Sequence, residues 1–498
     1  MADLTAIAVV GGRGAAAATM VTAAAQGWRF AIGIASTIIL ARLLGPSDFG
    51  VFAMAAPIVG FVGLFQDFGL GRALIQQQIL TRVQLESLFW FSILAAAVGT
   101  AVLVAAAPAM AAFYDEPRLV AVQVALAFSL LVGPFVTQPT SLLLRQARFS
   151  ATAAVDAGAA TIGFVCAILL AALNAGVWAL VGGALAGSVA AAVAAALLTR
   201  WFPGRPVFRR EARKLVAFGA GVFIYDLSNF ISRYAHAVVI GFSSGAVQLG
   251  YYDRASRLLL APLQQVSAPL NKVALPSLAR LTGDPAGYRK LYLGMLRVVL
   301  TLTQPVVVVV IIAANEIIPA VLGEGWSEAA AIFAVLGLSA LHQPATMTLS
   351  WLFQSQARTV ENARIGVGAA AATVLAMVVG SRWGALGVAI AYVAVDSLVR
   401  APALWCAALR TGPVAWRDAT PVLATHAIAV VGAAAAQIAV RSVIDPSGLR
   451  LIAEAGAAGT AYLSLLLALS PARALLHDLK GLVRRGDPGV GAAPASAE

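Results

Sequence analysis

Runs of about twenty or more mostly apolar residues, parted by short polar breaks, recur along the whole chain. A helix needs about 20 such residues to cross the hydrocarbon of a bilayer. The pattern predicts spans near 16–42, 49–68, 86–112, 119–144, 151–173, 177–199, 214–241, 248–275, 290–314, 327–354, 361–380, 384–408, 419–440 and 449–472. The expected fold class is therefore all-α: a polytopic membrane protein of about 14 transmembrane helices, with no room for a sizeable soluble domain. The first run lacks a convincing small-residue cleavage site and reads as a retained span, with residue 1 mature. The Gly-, Ala- and Pro-rich stretch 486–498 reads as disordered.

Composition sharpens this. Of 498 residues, 60% are hydrophobic and 11% charged, against about 25% charged in soluble domains. The mean hydropathy is +0.87, which excludes an ordinary soluble enzyme. A net charge of +12 would suggest nucleic acid in a soluble protein, but its placement decides otherwise. With a cytoplasmic N-terminus, the even-numbered turns carry Arg72, Arg82, Arg145, Arg148, the run from Arg200 to Lys214, Arg280, Arg289, Lys290, Arg358, Arg364, Arg410 and Arg417. The odd-numbered turns hold only Arg42, Arg118, Arg382, Arg441 and Arg450, beside the acids Asp48, Asp115, Glu116, Glu316, Glu324 and Glu328. The positive-inside rule then places both termini in the cytoplasm of a multi-pass inner-membrane protein. The basic loop either simply sets this topology or binds anionic headgroups. No nucleic-acid partner is expected.

The chain is duplicated. IILARLLGPSDFGVF (38–52) faces VVIGFSSGAVQLGYY (238–252) at an offset of 200, pairing Gly45 with Gly245, Phe49 with Leu249, Gly50 with Gly250 and Phe52 with Tyr252. Glycine there is expected to permit a tight outer turn. At an offset of 210, Gln146, Ala147 and Arg148 match Gln356, Ala357 and Arg358. An even number of helices separates the copies, so both insert with one orientation, related by an axis along the membrane normal. The expected domains are an N-terminal lobe (1–199, helices 1–6), a basic interlobe loop (200–213), a C-terminal lobe (214–410, helices 7–12), two added helices (411–475) and a tail (476–498). Two pseudo-symmetric six-helix lobes with a central cavity between them is a transporter plan.

Polar residues inside spans carry the functional expectations, because a charge at bilayer depth faces a partner or a cavity. Thr22, Gln26 and Arg29 share one face of the first span, as Asp226, Asn229 and Arg233 do on the seventh. Asp253, Arg257, Gln264 and Asn271 form a stripe on the eighth that is expected to line water. Gln26, Arg29, Asp226, Asn229, Arg233, Asp253, Arg257 and Gln264 are the candidate cavity residues. Asp67, Lys272, Arg297, Asp396 and Arg400 are candidates for coupling or gating, although Asp396 and Arg400 could merely neutralise each other. Asp67, Asp253, Arg254, Lys272 and Arg400 are alternatively near enough to helix ends to snorkel. Gln138-Pro139, Gln304-Pro305 and Gln343-Pro344 lie inside spans, as flex points or static kinks. Cys166 and Cys406 read as packing residues. No phosphate-cradling loop, nucleophile constellation or metal-ligand spacing is present, so neither an enzyme nor a cofactor or metal is expected.

ARLLGPSDFGVFAMA (41–55), FQDFGLGRALIQQ (65–77) and LGYYDRASRLLLAP (249–262) resemble the Wzx-like polysaccharide transporters of the multidrug/oligosaccharidyl-lipid/polysaccharide (MOP) exporter superfamily. The resemblance covers helices 1–12. It implies a V-shaped pair of lobes, a cationic central cavity, and export of undecaprenyl-pyrophosphate-linked repeat units for O-antigen, capsule or exopolysaccharide. On that footing Arg29 and Arg233 would hold the anionic headgroup, and Asp226 and Asp253 would balance or release it, with alternating access coupled to an ion gradient. The partners implied are the lipid-linked oligosaccharide, membrane lipids, and polysaccharide polymerase and chain-length proteins. The alternative is a drug or cation antiporter of the same superfamily, disfavoured by Arg29 standing deep in an N-terminal lobe whose Asp67 and Asp156 lie near helix ends. A non-transporting scaffold would not need the polar stripes.

Overall fold

Helices form where the apolar runs predict them. A computed structural model of the chain describes residues 12–67, 82–205, 212–445 and 448–469, with side chains at all of these except 12–19, 64–67, 212–229, 231–233, 267–269 and 272. The helices are α1 (Gly12–Leu43), α2 (Pro46–Asp67), α3 (Arg82–Tyr114), α4 (Arg118–Arg145), α5 (Phe149–Ala172) and α6 (Val177–Thr199). A helical stretch over Ala212–Arg280 breaks at Gly245 into α7 (212–244) and α8 (246–280). Then come α9 (Pro285–Ile312), α10 (Ala329–Ser355), α11 (Thr359–Gly380), α12 (384–410), α13 (Trp416–Val443) and α14 (Gly448–Leu469). Among the described residues, eleven stretches are long and apolar enough to cross a membrane, one of them, Thr359–Arg410, being α11 and α12 together. Arg72, loop residues 206–211 and the tail expected to be disordered lie outside the described residues.

Helices dominate because a bilayer core offers no partner to a free amide or carbonyl. Side chains such as Leu173, Leu375, Trp383 and Leu398 are largely exposed and suited to acyl chains. The chain divides into two compact units, one of 1–258 with 318–329 and 377–388, the other of 259–317, 330–376 and 389–498.

In the first unit α5 packs closely on α6, with α1 on α5, α4 on α6, and α2 on α3 and α4. Ala159, Gly163 and Ala167 recur every four residues on α5 and meet Gly183 and Gly187 of α6. A Cβ on Gly163 would stand 2.8 Å from the Gly183 carbonyl oxygen; small residues let these backbones touch. In the second unit α9 packs on α13 and α14, which pack on each other, and α10 on α12. Its core is aromatic, with Tyr288, Tyr292, Trp351, Phe353 and Trp405 buried together.

The duplication reappears as geometry. Within the first unit Gly50 lies against Ala246, and Gly250 against Pro46; a Cβ on Gly50 would be 1.7 Å from the Ala246 oxygen, and one on Gly250 2.0 Å from the Pro46 oxygen. In the 200-residue register Pro46 matches Ala246 and Gly50 matches Gly250, so the contact maps onto itself, as an interface across a two-fold axis must. The Gln-Ala-Arg matches are also one turn built twice. Ala147 and Ala357 both adopt left-handed backbone, with φ 54° and 57°. Arg148 N donates to Leu143 O at 2.9 Å, and Arg358 N to Phe353 O at 2.7 Å. Arg148 Nη1 then donates to Leu198 O near the end of α6, and Arg358 Nη2 to Ala407 O near the end of α12. A cation at a helix C-terminus also complements the helix dipole. Alanine is strained in left-handed backbone, so Ala147→Gly and Ala357→Gly are each expected to raise stability by up to about 1 kcal/mol, read as a higher melting temperature of the detergent-purified protein.

The fourth helix of each copy is interrupted. α4 breaks at Phe128, and Thr100 of α3 donates to the freed Ala127 carbonyl at 3.1 Å. α10 breaks at Leu341–His342, and Gln304 of α9 donates to the Leu341 carbonyl at 3.2 Å. Among the three Gln-Pro pairs, only Gln343-Pro344 thus coincides with a break; Pro139 and Pro305 sit inside continuous helix. The expectation for the paired glycines needs a similar correction. Gly245 takes a φ of 78° that breaks α7 from α8, whereas Gly45 stays outside the left-handed region.

The odd-numbered turns, which the cation distribution assigns to the outside, are knitted together in the first unit. Trp326 Nε1 donates to Ala41 O at 2.8 Å and its ring stands edge-on to Phe49. Arg42 Nε donates to Val321 O at 3.2 Å, and Gln248 to Glu328 at 3.2 Å. In the α3–α4 turn Arg118 donates to Glu116 at 2.8 Å and to Ser47 at 2.6 Å. That hydrogen bond from Arg118 holds the Glu116 carboxyl below its usual range. A lowered folded value means the stabilisation is complete above the unfolded value of about 4.3 and is lost as pH falls through the lowered one. Hydrogen exchange of residues 111–120, corrected for intrinsic rate, is expected to stay slow at neutral pH and to rise only in acid, with the step absent in Glu116→Gln.

Candidate functional site

Arg29 stands midway along α1, where a charge needs a partner or water. Its Nη1 donates to Asp156 Oδ2 of α5 at 2.9 Å, and the neighbouring Trp28 Nε1 donates to Thr161 Oγ1 at 3.1 Å. Two consecutive side chains thus tie α1 to α5. The ion pair is not sealed: its side chains are 50% and 47% exposed, and Gln26 is exposed one turn away. A guanidinium has five N–H donors, so Arg29 retains capacity for an anion beside the carboxylate that orients it. In the sequence Asp156 shows only as a residue near a helix end. Nothing in local spacing reveals a partner 127 positions away.

On α8 the stripe divides. Arg257, Gln264 and Asn271 are exposed, as expected, and Asn271 accepts from Trp351 Nε1 at 2.6 Å. Asp253 does not line water and does not snorkel; it is 6% exposed. Its carboxylate accepts from Arg254 Nη2 at 2.6 Å and from Arg257 Nε at 2.9 Å, while the Arg254 guanidinium lies 4.3 Å from the centre of the Phe49 ring. A buried carboxylate persists only when paired, and here two cations compensate it. The Asp253–Arg254–Arg257 group carries a net positive charge, with Arg257 half exposed. The sequence did not mark Arg254 as its second partner.

Asp226, Asn229 and Arg233 of α7, Asp67 of α2 and Lys272 of α8 have side chains outside the described residues. Arg297 is half-buried in α9. Asp396 and Arg400 do pair, at 3.0 Å within α12, and the carboxylate is 2% exposed.

The added helices hold a charged network that sequence reading placed in turns. Glu316 accepts from Arg441 of α13, and from Arg450 of α14 at 2.9 Å. Glu454 is fully buried beside Arg450 and accepts from Gln437 at 3.0 Å, while Gln437 also reaches Val309 O of α9 at 3.2 Å. These bonds fasten α13 and α14 to the end of α9. Glu454 escaped sequence reading because its cation, Arg450, precedes it by one turn and the pair resembles an ordinary helix-surface pair.

The paired, half-exposed cations of α1 and α8 suit recognition of an anionic group at membrane depth. Residues 39–331 match the model of a family described as polysaccharide biosynthesis protein. The chain is 22% identical over 376 residues to the lipopolysaccharide biosynthesis protein WzxC of Escherichia coli (strain K12), covering 73% of this chain and 75% of that one. It is 24% identical over 280 residues to the teichuronic acid biosynthesis protein TuaB of Bacillus subtilis (strain 168), covering 56% and 58%. It is 26% identical over 312 residues to the succinoglycan biosynthesis transport protein ExoT of Rhizobium meliloti (strain 1021), covering 62% and 63%. Against the latter two, the chain spans about six tenths of their length. Among solved structures, the lipid II flippase MurJ in an inward closed conformation superposes with a TM-score of 0.72 at 13% identity, over 90% of this chain and 98% of that one. An inward-facing multidrug resistance MATE family transporter of the MOP superfamily gives 0.61 at 16% identity, over 77% and 94%. At those identities the structures speak for the fold alone, while the family match spans more than half of the 498 residues. The protein therefore belongs to the polysaccharide biosynthesis protein family, on the polytopic helical fold of the MOP-superfamily transporters.

Proposed function

We propose that the protein is a flippase that moves undecaprenyl-pyrophosphate-linked oligosaccharide repeat units across the bacterial inner membrane, for O-antigen, capsule or exopolysaccharide. The observation that carries this reading is Arg29: a mid-span guanidinium oriented by Asp156 yet half exposed, able to take a phosphate oxygen while a polyprenyl tail stays in lipid. Arg257 and, from the sequence pattern, Arg233 would share the anionic headgroup. The relatives are named for three different polymers, lipopolysaccharide, teichuronic acid and succinoglycan. What such substrates have in common on this reading is the anionic lipid carrier, not the sugar. Two six-helix lobes would alternate access by releasing and reforming the odd-turn contacts, driven by an ion gradient. Both termini would be cytoplasmic, and the product would pass to polymerase and chain-length proteins.

The test is to delete the gene in its host and quantify lipid-linked oligosaccharide and surface polymer, adding back wild type and Arg29→Ala. Accumulated lipid-linked repeat with lost polymer, rescued by wild type and not by inserted Arg29→Ala, supports the reading. Unchanged pools on deletion would defeat it and leave the antiporter alternative.

A further inference from the structure

In the second unit two helix irregularities meet at one buried carboxylate. α10 is interrupted at Leu341–His342, just before Pro344, and α12 widens into a π turn over Asp396–Arg400, where the Ala401 amide reaches back to the Asp396 carbonyl. π turns concentrate at functional positions, and interrupted spans in transporters surround ion sites. Asp396 Oδ2 accepts from the Ser339 hydroxyl and, at 3.5 Å, from Gln343 Nε2. Its Oδ1 accepts from Arg400 Nη1 at 3.0 Å. His342 Nε2 lies 3.8 Å from Oδ2 and 2.9 Å from Ser397 Oγ. Gln343 also donates to the Tyr392 hydroxyl at 2.7 Å. Among the described residues, the titratable and charged groups facing Asp396 are thus His342 from α10, and Tyr392 and Arg400 from α12.

We propose that His342 and Asp396 form the proton-binding site through which the exporter draws on a proton gradient. The inference rests on the reading of the chain as a gradient-coupled exporter and names its coupling ion. Exposure is graded across the site: the side chains of Arg400 and His342 are 41% and 30% exposed, and that of Asp396 2%. A proton can therefore reach the imidazole without the carboxylate opening to water. Imidazole is the side chain that gains charge in the physiological range.

The geometry makes that event mechanical. A neutral imidazole donating from Nε2 to Ser397 leaves Nδ1 bare, and Nδ1 is buried with no hydrogen-bond partner. A proton added to the Nδ1 lone pair turns both nitrogens into donors. The new N–H has nothing to donate to in this arrangement, and a buried unmade bond is costly. The imidazolium relieves this by turning toward Asp396, and His342 sits in the joint of α10, so proton occupancy biases the angle of that joint. A ligand shifts a conformational equilibrium only through such a difference in affinity. A sodium ion would instead share Asp396 with a guanidinium already bound to it, and needs a set of oxygen ligands arranged around it. The Arg400 guanidinium opposes any cation placed on the carboxylate itself, and a proton meets less of that opposition by residing on the imidazole, 3.8 Å from Asp396 Oδ2.

The test uses the full-length protein in liposomes on a solid-supported membrane, without substrate. A jump from about pH 7.5 to about pH 6 spans the histidine range and is expected to evoke a transient displacement current. Asp396→Asn and His342→Gln, purified with wild-type elution profiles, should lower that current at least about tenfold, as loss of the histidine or of the carboxylate that faces it requires; Asp396→Glu should retain it. A sodium jump at constant pH should evoke none. Full currents in both His342→Gln and Asp396→Asn, no current in wild type, or a wild-type response to sodium alone would each overturn the proposal. If Asp396→Asn does not fold, the partly exposed His342→Gln decides. Because no substrate is present, this result is separate from the lipid-pool experiment, whose failure would instead count against the flippase reading.

Discussion

Valine at Gly50 or Gly250 is expected to abolish export while leaving the protein inserted in the membrane. The seam between α2 and α8 is backbone on backbone: the first side-chain carbon at Gly50 would lie 1.7 Å from the Ala246 oxygen, and at Gly250 2.0 Å from that of Pro46. Ordinary carbon contacts begin near about 3.5 Å, and a carbonyl cannot swing aside as a flexible side chain can. Overpacking a well-fitted contact typically costs about 1–3 kcal/mol, and the cost falls on whichever conformation closes this seam. An alternating-access cycle that must close it would stall. Leu249, adjacent to Gly250 and fully buried, offers a reporter. With Cys166 and Cys406 replaced, Leu249→Cys should be almost unreactive toward an impermeant maleimide. Adding Gly50→Val should raise its labelling rate at least about tenfold, as a shifted open population demands. Wild-type labelling and export in Gly50→Val would show that the seam is not a moving contact.

Asp253→Ala is expected to cost about 3–5 kcal/mol of stability, the range for breaking a buried ion pair by removing one partner. The loss comes mostly through Arg254, whose side chain is 11% exposed and would remain buried without its carboxylate; Arg257, half exposed, can turn to water and contributes little. Removing the stranded cation as well should recover much of the deficit, because a neutral side chain of similar length has no desolvation penalty. Thermal unfolding of Asp253→Ala and of Asp253→Ala with Arg254→Met, followed by size exclusion, separates the cases. If the double variant is no more stable than the single one, the penalty lies in packing around Phe49 rather than in charge.

The number, order and approximate ends of the spans were legible in the sequence, because a bilayer imposes about 20 apolar residues on each crossing regardless of what packs beside it. The duplication was legible too, and the twin Gln-Ala-Arg turns share a backbone conformation that the repeated triplet foreshadowed. Single-residue conformation was less so: Gly45 and Gly245 occupy one register position, yet only Gly245 needs the left-handed region. Which intramembrane charges are paired was half visible. Arg29, Asp253, Asp396 and Arg400 stood out because a charge inside an apolar run is conspicuous in one dimension. Their partners across helices did not. Asp156 for Arg29, and Ser339 and His342 for Asp396, come from helices distant in sequence, and a one-dimensional pattern carries no record of which faces meet. Periodicity names the face a residue occupies; only the packed helices decide whether that face meets lipid, water or another charge, because pairing in a low-dielectric interior depends on distances of a few ångströms.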